Sequence, residues 1–186
     1  MNYIQCDRCG LADFRKENDY KTVWGDGPSN AKIVLIGEAP GADEAVQGKP
    51  FVGRSGKLLR QILSKFFNLE EQIYIINTVK CRPPENRAPT IEEQNKCFPY
   101  AFSQIYTIRP KVILTAGKVS SDWFSRMVKL PYEIYQPQVV ELDDLKILWL
   151  PLYHPAYLLR DRNKIPNFEA CLSKYSPVIS TILKKV

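Results

Sequence analysis

Four of the five cysteines, Cys6, Cys9, Cys81 and Cys97, form a Cys-x-x-Cys pair followed by two later members that bracket the run CRPPENRAPTIEEQNKC. A Cys-x-x-Cys turn can point two thiolates at one metal ion or cluster, and cysteines on either flank of a Pro-rich loop can complete a four-thiolate site. The spacing fits neither a zinc ribbon, which repeats Cys-x-x-Cys, nor a secreted disulfide framework; the competing reading is four unrelated buried thiols. His154, the only histidine, precedes Pro155 at the end of an apolar run. An imidazole there can donate to a developing anion without itself carrying charge, although a lone histidine is more often structural. Residues 37 to 56, GEAPGADEAVQGKPFVGRSG, hold five glycines and two prolines, a density that lets backbone approach a ligand closely. A phosphate-binding P-loop is excluded, because six residues separate Gly41 from Gly48-Lys49 and Pro50 follows the lysine.

The elements that position these groups alternate. Residues 32 to 37, 73 to 79, 111 to 116 and 146 to 151 are short runs of branched apolar residues, suited to strands buried on both faces of a parallel sheet. Helical patterns lie between them. Leu58, Leu59, Ile62, Leu63 and Phe66 recur at helical spacing, Thr90-x-x-Glu93 opens a second helix as a capping box, and further helices fall near 118 to 127 and 167 to 184. This order predicts an α/β fold, a three-layer α/β/α sandwich around a mostly parallel four-stranded sheet, with residues 131 to 145 as an irregular or hairpin insertion. Glu38 and its glycines, Asn77 to Cys81, Gly117-Lys118 and His154-Pro155 each follow a strand. They therefore converge on one rim, where open α/β sheets place ligands.

Composition sets the class. With 186 residues and 45% hydrophobic content, one domain over 1–186 is expected. No secretory leader and no long apolar run is evident, and an odd cysteine count argues for metal or chemistry rather than disulfides, so a cytoplasmic, nucleoid-associated protein without membrane contact is expected. The net charge of +6 leans toward a polyanionic partner.

GEAPG…GKPFVGRSGKLL, then NTVKCRPPENRAPT…C, then HPAYLLR resemble the family 4 uracil-DNA glycosylases, from Cys6 through Arg160 and in the family's order. The resemblance implies a monomeric repair hydrolase that flips uracil out of single- or double-stranded DNA and cleaves its glycosidic bond. It also implies a [4Fe–4S] cluster on Cys6, Cys9, Cys81 and Cys97, with zinc as the alternative that four thiolates would accept, and gives Cys171 no ligand role. Phe51 matches the aromatic that stacks on the extruded base, within a pocket that includes Gly37, Ala39 and Gly41. Asn77 matches the amide that reads the uracil edge, since an amide offers donor and acceptor in one plane. His154 matches the residue that stabilises the uracil anion, and Glu38 and Glu44 the water-activating motif, Glu38 being favoured because it directly follows a strand. Tyr157, Leu158 and Leu159 match an apolar wedge into DNA, with Arg160 near phosphates. Arg54, Ser55 and Gly56 are expected to meet the DNA backbone at a helix start. Ala42 and Ala45 stand where relatives often carry acids. A glycosylase of broader base specificity and a non-catalytic DNA-binding module are the alternatives; retention of Glu38, Asn77 and His154 counts against both.

Overall fold

The computed structural model describes residues 6–184, so the extreme ends of the expected 1–186 domain lie outside them. Five strands form one sheet: β1 (Ile33–Gly37), β2 (Ile73–Asn77), β3 (Val112–Ala116), β4 (Gln138–Leu142) and β5 (Leu145–Leu152), in the order β2-β1-β3-β5-β4. The first three neighbouring pairs in that order are parallel. β4 runs antiparallel to β5 and corrects the expected four strands to five. Its burial alternates with only Val140 fully covered, as in a half-exposed edge strand, so it lacks the continuous apolar run that marks the other four.

Side-chain alternation along the strands divides the core. Ile33, Leu35, Ile75 and Leu114 face one side, where they pack against Leu59, Ile62 and Leu63 of α3 (Arg54–Leu63) and Phe168 and Leu172 of α8 (Ile165–Lys184). Val34, Ile36, Ile113 and Trp149 face the other, against Ala101 and Ile105 of α5 (Ile91–Ile108) and Trp123 and Phe124 of α6 (Lys118–Val128). Helices therefore cover both faces, giving the expected three layers. Shorter helices α1 (Gly10–Glu17), α2 (Ala42–Gln47), α4 (Leu69–Gln72) and α7 (Pro155–Arg160) complete the chain order. Among the described residues, no helix is long and apolar enough to cross a membrane.

From β1 the chain crosses to β2 on one side, and β3 then pairs on the other. That reversal opens a crevice at the carboxyl ends of β1 and β3, the place where such sheets bind ligands.

Candidate active site

The crevice is a cavity of about 540 Å³ whose lining includes Glu38, Glu44, Phe51, Asn77, His154 and Arg160. Strand register brings the base of the site together: Gly37 is directly opposite Asn77, so the last residues of β1 and β2 stand side by side. The turn after β1 is tied to the exit of β2, as Thr78 N–H donates to Gly37 O at 3.0 Å and Thr78 Oγ1 to Glu38 O at 2.6 Å. A Cβ on Gly37 would come within 2.3 Å of Asn77 Oδ1 and 2.6 Å of the Phe51 ring, so only glycine lets the amide and the aromatic meet there.

Phe51 is 5% exposed and adopts φ 56°, unusual for a bulky side chain. Gly56 lies buried beneath it, where a Cβ would sit 2.3 Å from the Phe51 carbonyl carbon. Gly56 thus supports Phe51 from below. Ser55 lines the crevice, whereas Arg54 is exposed outside the lining.

Asn77 is 1% exposed, and its Nδ2 has no hydrogen-bond partner. A buried amide donor left unpaired is costly unless something arrives to accept from it.

His154 caps α7: its Nδ1 accepts from Ala156 N–H at 3.1 Å. With Nδ1 an acceptor, the ring proton resides on Nε2, which is left as a donor. Burial, aided by the Arg160 charge, lowers the His154 pKa to about 4, so the imidazole is neutral at physiological pH. Gly117, at φ +104°, allows the close approach of this ring, since a Cβ there would lie 2.7 Å from His154 Cβ.

The two acids differ in surroundings. Glu38 is half-buried, and burial raises its pKa. Glu44 is also raised by burial, opposed by backbone hydrogen bonds from Gly41 and Phe51; the Gly41 N–H donates to its Oε2 at 3.2 Å. Glu44 thus braces the loop that carries Phe51.

The HPAYLLR segment is mixed. Leu158 is 0% exposed and packs in the core. Tyr157 and Leu159 are half-buried, and Arg160 is exposed at the crevice. Sequence reasoning missed Arg87, which reaches the crevice from the Pro-rich loop. That loop leaves the end of β2, but Arg87 lies ten residues beyond Asn77, and only the fold turns it back to the crevice. Arg87 is engaged bidentately by Glu93 at 2.9 and 2.7 Å.

Cys6, Cys9, Cys81 and Cys97 line a second, smaller cavity beside α1 and α5. None of the cysteines is in a disulfide. Among the described residues, no three or more His, Cys, Asp or Glu side chains are placed closely enough to hold a metal ion. The donor set still suits a soft metal group: four thiols share one cavity, and burial pushes Cys81 up to about 12 and Cys97 up to about 11. Neither thiol ionises alone at neutral pH, and thiolate ligands to a metal would have to give up these protons on binding.

Comparison with known proteins agrees with this geometry. Residues 24–176 match the profile of the uracil DNA glycosylase superfamily. The type-4 uracil-DNA glycosylase of Saccharolobus solfataricus is 40% identical over 161 residues, covering 83% of this chain and 73% of that one. The protein of the same name from Thermotoga maritima is 40% identical over 160 residues, covering 86% and 80%. That of Archaeoglobus fulgidus is 38% identical over 164 residues, covering 84% and 79%. A crevice with a buried, unpartnered amide, a supported aromatic and a neutral histidine thus lies in a chain matched to these proteins along most of its length, and the chain belongs to the type-4 family of the uracil-DNA glycosylase superfamily.

Proposed function

We propose that this chain excises uracil from DNA by hydrolysing the bond between uracil N1 and the deoxyribose C1′, leaving an abasic site. The observation that carries the reading is the buried, unpartnered Asn77 Nδ2 on the crevice wall beside Phe51. Uracil O4 accepts from that donor, whereas the cytosine amino group would oppose it with a second donor, leaving both unpaired.

The extruded base stacks on Phe51. As the C1′–N1 bond breaks, the electron pair moves into the ring and charge grows on uracil O2. The neutral His154 donates from Nε2 to that oxygen, and burial strengthens the contact. Glu38 orients a water toward C1′, takes its proton as the C1′–O bond forms, and stabilises the cationic sugar in between. Glu44 holds the Gly41-to-Phe51 loop in place. Tyr157 and Leu159 take the gap in the stack, with Arg160 at a phosphate.

Cys6, Cys9, Cys81 and Cys97 would hold a [4Fe–4S] cluster. When bound, it supplies a cross-link between the amino-terminal segment and the Pro-rich loop rather than chemistry at the base. The protein acts as a monomer inside the cell on single- and double-stranded DNA, its net charge of +6 favouring the polyanion.

The test is incubation with a labelled single strand carrying one uracil, followed by alkali, against an otherwise identical thymine strand. Breakage at uracil alone supports the proposal; an intact uracil strand with folded protein overturns it.

A further inference from the structure

Beyond the crevice, at the same end of β5, lies a further cavity of about 500 Å³ with no assigned role. Its lining includes Tyr135, Tyr153 and Tyr175, together with Lys164, Asn167 and Lys174, and contains no carboxylate. Consecutive residues line the two cavities, Tyr153 the outer one and His154 the inner. Tyr153 is 37% exposed, with its ring 5.0 Å from that of Tyr157 and 5.1 Å, edge-on, from that of Tyr135. The aromatic surface thus runs without a break from the HPAYLLR segment into the outer groove. Tyr135 is held by its own N–H donating to Pro151 O at 2.9 Å, and its Oη is buried without a partner. Lys174 Nζ stands 5.0 Å from the Tyr175 ring centre, so a cation and an aromatic face are presented together.

We infer that this groove binds the stretch of DNA strand flanking the extruded uracil, stacking its bases on Tyr153 and Tyr175 and setting its phosphates against Lys164 and Lys174. The inference rests on the proposed uracil excision. Interleaved aromatic and cationic side chains are the chemistry that holds single strands without reading sequence, because every base has a stacking face. The absence of a carboxylate from the lining removes the repulsion a phosphate would otherwise meet, and continuity with the crevice fixes the occupant as the same strand. An enzyme so built would grip one side of the lesion more firmly than the other.

Fluorescence anisotropy tests this with single-stranded oligonucleotides carrying 2′-deoxypseudouridine, a uracil C-nucleoside that cannot be hydrolysed, shortened stepwise from either end. For the wild type, shortening one flank weakens binding about tenfold, and shortening the other does not. Tyr175→Ala binds the full-length strand as the wild type binds the shortened one, and loses nothing more on shortening; Tyr175→Phe, which keeps the stacking face, restores the difference. Lys164→Gln and Lys174→Gln each lower the slope of log affinity against log salt by about 0.7. Those lysine variants, one half-buried and one exposed, keep the test decisive should Tyr175→Ala fail to fold. Wild-type affinities and salt slopes in the variants would overturn the groove. Excision by the wild type on a uracil strand is read separately: its failure strikes the enzymatic reading, while excision with unaffected variants strikes the groove alone.

Discussion

Arg60 clamps Phe51 by its backbone: Arg60 Nε donates to Phe51 O at 3.1 Å and Nη2 to Pro50 O at 3.0 Å, while the same Nη2 reaches Asp26 Oδ2 at 2.9 Å. Asp26 is itself fixed to the sheet, exchanging backbone hydrogen bonds with Ile75 at 3.0 and 2.8 Å. A positive φ at a bulky residue costs about 1–3 kcal/mol and persists only where surrounding contacts hold it. Arg60→Leu is expected to lower kcat/KM about tenfold, the scale of one charge-assisted hydrogen bond. Combined with Phe51→Ala, its effect should largely vanish, since the clamp acts through that ring; additive losses in the double-mutant cycle would refute this.

Asn77→Asp replaces the unpaired donor with an acceptor. Uracil excision is expected to fall by about a hundredfold or more, with cytosine excision appearing, when both bases are offered in otherwise identical strands. Loss of uracil activity with equal, negligible activity on both bases would instead place Asn77 in a purely structural role.

Gly37→Ala probes the junction of the strands. The added methyl would collide with the Asn77 amide and the Phe51 ring together, so kcat/KM should drop steeply, as for a misplaced reacting geometry, by about a hundredfold. Unaltered turnover would show that the two side chains can part without consequence.

The acid limb of the kcat profile should belong to Glu38. Burial holds its pKa above 4.5, so its ionised form is lost as pH falls through that raised value, while His154, at about 4, stays neutral over most of the range. Glu38→Gln should slow turnover about 10²–10⁴-fold and remove the limb. Stability shows a separate dependence. The unfolded His154 binds a proton near 6.5 but the folded one only near 4, so stability is lost as pH falls between these values. His154→Gln should flatten that part of a Tm–pH curve.

Cys97→Ser should release the link between the amino-terminal segment and α5. Cross-links closing long loops are worth about 3–5 kcal/mol, so Tm is expected to fall by roughly 5–15 °C. Protein purified without oxygen should be brown and carry iron; a colourless protein carrying zinc would reassign the metal while leaving the four ligands in place.

What was legible in the chain was whatever local pattern encodes. The four buried strands announced themselves as apolar runs, and because Glu38, Asn77, Lys118 and His154 each follow one, their convergence could be read before any coordinate. Thr90 and Glu93 form the expected capping box, with hydrogen bonds of 2.7 and 3.1 Å. What escaped depends on contacts between distant segments. Leu158 looks like Leu159 in sequence, and only the packing of α7 against α3 decides which is buried. Gly56 resembles a helix-start glycine that could meet phosphate, yet its role is set by Phe51 above it. β4, polar on one face, left open whether residues 131 to 145 were irregular or a hairpin, and its antiparallel pairing with β5 is the hairpin.

The imidazole of His154 serves two masters, one on each nitrogen. Nδ1 fastens the first turn of α7, which leaves Nε2 as the donor nitrogen of a residue that lines the crevice. Any displacement of that short helix as DNA is pressed apart must turn the ring with it. On the proposed function, the seating of α7 and the aim of the proton donor are set by one side chain.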